Sequence, residues 1–150
     1  MPISEVVKYV KINELLHTAG QPKADQLSDL SREGFKLVVN LGLHNDPRYS
    51  VPEEPTILES QGIEYLHIPV QFAAPTQEDF KKFLAAMKKA TDRKTLVHCA
   101  HNKRVSVFMA IYLVLVENWS VESAHQWASE IWQADEVWSN YFCEMVAARG

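Results

Sequence analysis

The sequence predicts one α/β domain over residues 1–150, a single three-layer domain in which helices flank a mainly parallel sheet of four or five strands. Short apolar runs rich in β-branched residues alternate with segments of helical spacing along most of the chain. Three helical segments then close the chain, and a length of 150 residues suits a single core.

The first half of the chain alternates between short strands and short helices. "VVKYVKI" at residues 6–12 alternates and predicts a strand, and "ELLHTAGQP" predicts a second strand that the Gly-Gln-Pro break ends. "KADQLSDLSREG" places Leu27 and Leu30 on one face, which predicts a helix ending at Gly34. "FKLVVNLG" is typical of a buried strand, and the proline-rich "LHNDPRYSVPEEP" predicts a loop. "TILESQG" then predicts a short helix ending at Gly62, and "IEYLHIPV" predicts a strand.

The second half contains the longer helices. "PTQEDFKKFLAAMKKA" begins with Thr76 as a candidate N-cap, followed by apolar residues at helical spacing. "KTLVHC" predicts a strand, and "RVSVFMAIYLVLVEN" is apolar almost all round, which predicts a central buried helix. "SVESAHQWASEIWQ" starts with Ser120 as an N-cap, and "DEVWSNYFCEMVAARG" predicts a last helix ending in Arg149 and Gly150.

Composition narrows the class of function. Apolar residues make up 47% of the chain and charged residues 23%, which is typical of a globular domain. A net charge of −4 supplies no broad cationic face, so we expect no nucleic-acid partner. Neither a signal peptide nor a membrane span is predicted, and two cysteines are too few for a disulfide scaffold. We therefore expect a cytoplasmic protein with no membrane partner.

One of the two cysteines lies where a strand gives way to a helix. The predicted strand ends at Cys99, the next helix begins near Arg104 or Val105, and Ala100, His101, Asn102 and Lys103 lie between them. Backbone N–H groups converge at a helix start, and the helix dipole adds partial positive charge, so this loop is a candidate anion site. The same groups stabilise a thiolate, which is the nucleophilic form of cysteine.

This arrangement predicts phosphoryl transfer. Cys99 would attack phosphorus to form a thiophosphoryl intermediate, from which water would release phosphate. Arg104 would bind two phosphate oxygens in a bidentate manner. Ser106 would donate its hydroxyl to the sulfur. The alternative is a small buried cysteine without chemistry, which is the interpretation given to Cys143, in the core or on the surface of the last helix.

The stretch "VHCAHNKRVSVF" resembles the active-site loop of the cysteine-dependent protein tyrosine and dual-specificity phosphatase superfamily. "GQP", "LVVNLG", "GIEYLHIPV" and "PTQEDFKKF" precede it in the order that bacterial members show, so the resemblance extends from about residue 8 to 117. The superfamily has five residues between Cys and Arg, whereas this chain has four, so it is similar to a bacterial subgroup with a shortened loop. Asn102, Arg104, Ser106 and Phe108 match that subgroup, while His101 replaces a small residue.

The resemblance also implies a dual-specificity-phosphatase-like fold, a role for His98 in orienting the Cys loop, and an aspartate that protonates the leaving oxygen. That aspartate belongs on the loop after "HIPV", where this chain has Gln71. Glu78 and Asp79 follow in the first turn of a predicted helix, where acidic residues commonly cap the helix. Asp79 is nevertheless a weak candidate for the acid, and Asp46, in the earlier loop, is a weaker one. Without an acid, aryl phosphates with good leaving groups should react and alkyl phosphates should react poorly.

No cofactor or metal is expected. His98 and Cys99 are adjacent on a strand and point to opposite faces, so one metal ion would not reach both of them and His101. Asn40 either braces the Cys loop from behind or caps its strand, and Gln21 is expected near the same rim. Lys103 either contacts a second phosphate or points to solvent.

The four tryptophans of the C-terminal helices predict core packing or the face of a homodimer, because no basic residues interleave with them as in a base-stacking platform. They are Trp119, Trp127, Trp132 and Trp138.

The leading hypothesis is a small phosphatase that acts on a phosphorylated protein or a small molecule. Two alternatives stay open. A rhodanese-like sulfurtransferase also ends a strand at a cysteine whose loop can close with arginine, although the upstream order of motifs differs. A pseudophosphatase that binds phosphorylated ligands with slow turnover is favoured by Gln71.

Overall fold

Five strands form one sheet in the computed structural model, which describes residues 2–148. The spatial order is β1-β2-β5-β3-β4, with β1 antiparallel to β2 and the other neighbours parallel. The mainly parallel sheet confirms the predicted fold class. The strands are β1 (Val10–Lys11), β2 (Leu16–Ala19), β3 (Leu37–Asn40), β4 (Glu64–His67) and β5 (Thr95–His98).

Within residues 2–148, six helices flank the sheet, and two turns of 3-10 helix lie at Ile3–Glu5 and Leu30–Glu33. The predicted N-caps Thr76 and Ser120 both accept a hydrogen bond from the backbone N–H three residues on. The helices are α1 (Ala24–Leu27), α2 (Glu54–Glu59), α3 (Gln77–Lys88), α4 (Lys103–Leu115), α5 (Val121–Ile131) and α6 (Glu136–Ala147). The predicted ending at Arg149 and Gly150 lies outside the described residues.

Two predicted elements are shorter than their sequence pattern suggested. The strand predicted at residues 6–12 is reduced to Val10–Lys11, because Lys8 adopts a positive φ of 55° that an extended strand does not allow. The helix predicted from residue 23 to Gly34 leaves α geometry after Leu27, where the hydroxyl of Ser28 donates to the Ala24 carbonyl at 2.9 Å. Gly34 still ends the segment, with a φ of 88°.

The core has one part on each face of the sheet. Val38 and Leu96 point to the face that carries α1 and α2, whereas Val39 and Val97 point to the face that carries α3 to α6. Along α4 ten residues are buried, so this is the central helix that its apolar sequence predicted. The three layers confirm the predicted architecture.

The C-terminal helices pack on α4 through aromatic side chains. Trp138 is fully buried, and its ring lies 6.0 Å from that of Phe108. Trp119, Trp127 and Trp132 are partly buried against the same core. The four tryptophans therefore pack in or against the core.

None of the helices described is both long and apolar enough to cross a membrane.

Candidate active site

A cleft of about 440 Å³ opens at the edge of the sheet where the parallel strands end. Three loops form it: the loop from β5 to α4, the loop from β3 to α2, and the loop from β4 to α3. Its lining comprises Leu43, Asp46, Arg48, Tyr49, Gln71, Phe72, Ala73, Cys99, Ala100, His101, Lys103 and Arg104. The topology thus brings Cys99, Arg104 and Gln71 together from distant parts of the sequence.

The loop that carries Cys99 is anchored on β2. Cys99 follows the end of β5 directly and is 1% exposed. Asn102 takes a left-handed backbone with a φ of 63°, and its side-chain amide donates to Lys8 and to the hydroxyl of Thr18 at 2.9 and 3.0 Å. This turn sends the chain into α4 at Lys103, one residue before the predicted start.

Gly20 lets β2 approach the Cys99 loop closely. A side-chain carbon at position 20 would lie 2.5 Å from the backbone oxygen of Ala100, inside van der Waals contact. The same oxygen accepts a hydrogen bond from the Gln21 backbone N–H at 2.9 Å. The "GQP" motif therefore supports the Cys99 loop from its side, which a side chain at position 20 would prevent.

Arg104 extends across the floor of the cleft. Its side chain is 5% exposed, and its Nη1 donates to the Val70 carbonyl at 2.9 Å. Its Nη2 donates to the Tyr49 hydroxyl at 3.3 Å. The rings of Tyr49 and Phe72 lie 5.8 and 5.9 Å from the guanidinium carbon. A guanidinium carries five N–H donors, so these two contacts orient it and leave donors for a bound anion.

Behind the Cys99 loop lies a buried polar cluster that the sequence did not reveal. His98 is fully buried, and its Nε2 lies 2.5 Å from Oε2 of Glu54, which is 1% exposed. The Gln21 side-chain amide donates to the other oxygen of Glu54 at 2.9 Å. The Gln21 side chain thus lies behind the loop, and Gln21 is not among the residues that line the cleft.

Ser106 does not contact the sulfur of Cys99 in this structure. It is fully buried on α4, its hydroxyl donates to the Lys103 carbonyl at 2.6 Å, and it accepts from Nε1 of Trp132 at 3.0 Å. These partners place the Ser106 hydroxyl between the start of α4 and the end of α5. The structure therefore corrects the prediction for Ser106: its hydroxyl links α4 to Trp132 at the end of α5 and does not bond to the sulfur.

The acidic candidates differ in where they lie. Asp79 caps α3, because its carboxylate accepts from the Thr76 backbone N–H while its own backbone N–H donates to the Thr76 hydroxyl, each at 3.0 Å. It does not line the cleft, and neither does Glu78. The structure therefore corrects the prediction for Asp79: its side chain caps α3 and does not lie in the cleft as an acid would.

Asp46 does line the cleft, paired with Arg48 at 2.6 Å. The Arg48 side chain and backbone N–H lower the pKa of Asp46 to about 2. Asp46 is consequently a carboxylate at neutral pH and accepts hydrogen bonds without supplying a proton. Gln71 occupies the cleft wall where the resemblance expects an aspartate.

The rim of the cleft combines positive charge with aromatic rings. Lys103 is exposed, and its Nζ lies 5.1 Å from the centre of the Trp132 ring. Phe72 packs against Trp132 at 5.8 Å and against Trp138 at 5.9 Å. His101 is exposed and lines the cleft. Lys103 therefore belongs to the lining of the cleft and lies along the Trp132 ring at its mouth.

Asn40 supports the end of β3, as its capping interpretation predicts. Its side-chain oxygen accepts from the Gly42 backbone N–H at 2.8 Å, and its amide donates to the Tyr65 hydroxyl at 3.1 Å. A side-chain carbon at position 42 would lie 3.2 Å from the Tyr49 ring and 3.6 Å from Cα of Cys99. The strand end capped by Asn40 thus packs against the Cys99 loop.

Comparison with known proteins identifies the family. Residues 5–140 match the family model described as "DSP-PTPase phosphatase fused to NAD+ Kinase". The chain belongs to this family. The predicted membership of the cysteine-dependent phosphatase superfamily is thereby confirmed. The same match favours this class over the rhodanese-like alternative.

The curated relatives are longer proteins. The "Beta-lactamase hydrolase-like protein" of Xylella fastidiosa strain Temecula1 is 29% identical over 115 residues, which span 73% of this chain and 26% of the relative. The chain therefore spans about a quarter of the length of this relative.

Solved structures share the fold of this phosphatase-family chain. A DUF442 protein from Shewanella putrefaciens CN-32 superposes with a TM-score of 0.86 at 26% identity, covering 99% of this chain and 97% of the other. The core catalytic domain of the PP-IP phosphatase SIW14 from S. cerevisiae gives a TM-score of 0.76 at 16% identity, covering 91% and 84%. The second likeness concerns the fold alone.

Proposed function

We propose that this chain hydrolyses aryl phosphate monoesters, of the phosphotyrosine or small aryl type, through a cysteinyl-phosphate intermediate on Cys99. The observation that carries the proposal is the shared cleft of Cys99 and Arg104, in which the rings of Tyr49 and Phe72 lie 5.8 and 5.9 Å from the guanidinium. The guanidinium suits a phosphate dianion, and the two rings suit an aromatic leaving group beside it.

The proposed reaction has two steps. The thiolate of Cys99 attacks phosphorus, a P–S bond forms, and the P–O bond to the leaving group breaks. Water then attacks phosphorus, the P–S bond breaks, and phosphate leaves with Cys99 restored as thiolate. Backbone N–H groups of residues 100–104, the start of α4 and Arg104 bind the phosphate oxygens in both steps. In this proposal the four loop residues contribute their backbone N–H groups; they are Ala100, His101, Asn102 and Lys103.

The proposal predicts a strong dependence on the leaving group. Gln71 cannot donate a proton as an acid, Asp79 is engaged in the cap of α3, and the pKa of Asp46 is about 2. The leaving oxygen must therefore depart as an anion or take its proton from water. A nitrophenolate departs readily in this way, whereas an alkoxide does not.

The direct test is phosphate release from para-nitrophenyl phosphate by the wild-type chain and by Cys99→Ser. Loss of turnover in Cys99→Ser is expected, since a serine hydroxyl is a far weaker nucleophile at neutral pH. Arg104→Lys keeps the charge but not the planar fork and should also lose most activity. If Cys99→Ser releases phosphate at the wild-type rate, the proposed chemistry is wrong.

A second candidate function is a phosphate-binding module with slow turnover, and Gln71 is the observation that favours it. The two functions separate on one comparison. A phosphatase turns over para-nitrophenyl phosphate many times per chain, whereas a binding module holds inorganic phosphate or vanadate with little turnover of any ester.

A further inference from the structure

The segment of residues 71–76 forms a wall of the cleft although little of it is buried. It connects β4 to α3, five of its six residues are exposed, and residues 71–73 line the cleft. An exposed connection makes few apolar contacts of its own, so its place in the cleft depends on the few groups that bind it.

Helix α6 supplies two of those groups. Nε1 of Trp138 donates to the Phe72 carbonyl at 2.7 Å, and the hydroxyl of Tyr141 donates to the Thr76 carbonyl at 2.7 Å. Among the described residues, these are the hydrogen bonds that join residues 71–76 to a distant part of the chain. Burial raises the pKa of Tyr141, so its hydroxyl keeps the proton that it donates. One helix therefore binds the segment near both of its ends.

Helix α6 is itself packed on the helix that carries Arg104. Trp138 is fully buried and Tyr141 is 6% exposed, and their rings lie 6.0 and 5.6 Å from that of Phe108. Phe108 lies about one turn after Arg104 on α4. The two hydrogen bonds therefore tie the segment to the part of α4 from which the guanidinium extends.

The ring of Phe72 is the part of the segment that these contacts place. It lies 5.8 Å from the Trp132 ring, 5.9 Å from the Trp138 ring and 5.9 Å from the guanidinium carbon of Arg104. Phe72 lines the cleft and is 37% exposed, so part of it is accessible to a ligand. An aromatic side chain that is already in place binds another ring without the cost of ordering its own segment.

We propose that Trp138 and Tyr141 are positioning residues that hold Phe72 beside Arg104, and that α6 in this way sets the preference of the cleft for anions that carry an aromatic ring. Neither Trp138 nor Tyr141 lines the cleft, so both act through the segment and through Phe72. The preference for aryl substrates deepens the proposed function and rests on it, whereas the binding of the segment by α6 does not.

The first test measures binding without turnover, by isothermal titration calorimetry with phenylphosphonate, whose C–P bond is not hydrolysed, and with inorganic phosphate. Tyr141→Phe removes one hydrogen bond and keeps the ring, and Trp138→Phe removes the other hydrogen bond. A net hydrogen bond is worth about two- to tenfold in an equilibrium, so the affinity for phenylphosphonate should fall by that factor in each variant. The affinity for inorganic phosphate, which has no ring, should stay within about twofold.

Two further variants test whether the effect passes through Phe72. Phe72→Ala should lower the affinity for phenylphosphonate, and adding Tyr141→Phe to it should cause no further loss. Trp119→Phe is the matched control, at a partly buried tryptophan that follows the far end of α4, and should bind both ligands as wild type does. Wild-type affinity for phenylphosphonate in Tyr141→Phe would overturn the proposal, whether or not Trp138→Phe folds. So would a loss of phosphate affinity as large as the loss of phenylphosphonate affinity.

A second measurement reports on the segment itself. Chymotrypsin cleaves after phenylalanine where a chain opens locally, so the rate of cleavage between Phe72 and Ala73, followed by mass spectrometry, reports how firmly α6 holds them. Tyr141→Phe should raise that rate about two- to tenfold, with cleavage at other sites unchanged. Equal rates in wild type and Tyr141→Phe would overturn the proposal, and so would an equal acceleration at every site, which indicates global destabilisation.

Both measurements are independent of the cysteine chemistry, because neither requires turnover. Phosphate release by Cys99→Ser at the wild-type rate would overturn the proposed function and leave the binding and cleavage results unchanged. Conversely, wild-type binding of phenylphosphonate by Tyr141→Phe would overturn the positioning role and leave the cysteinyl-phosphate chemistry intact.

Discussion

Replacing Gln71 by aspartate should restore a missing proton donor. Gln71 directly follows Val70, whose carbonyl accepts from Nη1 of Arg104 at 2.9 Å, so position 71 lies beside the guanidinium that is proposed to bind the phosphate. Its backbone oxygen also accepts from Ala74 at 3.1 Å, which forms a turn in the cleft wall. An acid placed here would line the same cleft as Cys99 and Arg104 without rearrangement of the fold.

General acid catalysis contributes about 10²–10⁴ in rate. Because position 71 is exposed and only its backbone is held, we expect the low end, about 10²-fold in kcat/KM with an alkyl phosphate such as phosphoserine. With para-nitrophenyl phosphate the gain should stay below about threefold, because that leaving group needs no proton. Phosphate release is the assay for both substrates.

The pH dependence gives the sign of the effect. A general acid must be protonated, so kcat of Gln71→Asp with the alkyl substrate should fall as the pH rises through the pKa of the new carboxyl. Gln71→Asn, which keeps the amide at the shorter length, is the matched control and should show neither change. An alkyl phosphate rate equal to wild type in a folded Gln71→Asp chain would refute position 71 as the acid site.

Three further predictions concern the walls of the site. Gly20→Ala should lower both stability and kcat, because the added carbon would lie 2.5 Å from the Ala100 oxygen; overpacking costs about 1–3 kcal/mol, which urea unfolding measures. Tyr49→Phe removes the oxygen that accepts from Arg104 and should lower kcat/KM about tenfold, with unchanged kinetics contradicting this orienting role. Asp46, whose pKa Arg48 lowers from 3.8 to about 2, should stabilise the fold at neutral pH and lose that effect between about pH 4 and pH 2, as first the unfolded and then the folded carboxyl takes up a proton. Unfolding of Asp46→Asn across acid pH tests this, and its kcat/KM profile above pH 4 should keep the wild-type acid limb.

Much of the fold could be predicted because its signals are local. The apolar run "LVVN", the caps Thr76 and Ser120, and the all-round apolar α4 each specify their element within a few residues. The transition from strand to helix at Cys99 is equally local, so Cys99 and Arg104 were predicted as one site. The elements that fell short did so where a single residue, Lys8 or Ser28, overrode the pattern.

The rest of the site depends on contacts between distant segments. Glu54 lies 44 residues from His98, and nothing in "VPEEP" distinguishes it from its exposed neighbour Glu53. Tyr49 lies in a stretch whose composition predicts only a loop, yet it contacts Arg104, 55 residues later. Such partners become visible only once the topology brings β3, β4 and β5 to the same edge of the sheet.

The most direct test of the proposed chemistry is to trap the intermediate. The chain is mixed with para-nitrophenyl phosphate, quenched with acid during turnover, digested and examined by mass spectrometry. The account predicts that the peptide containing Cys99 gains the mass of one phosphoryl group, and that the peptide containing Cys143 does not. Turnover with no phosphoryl group on Cys99 at any quench time, or with the group on another residue, would contradict the account.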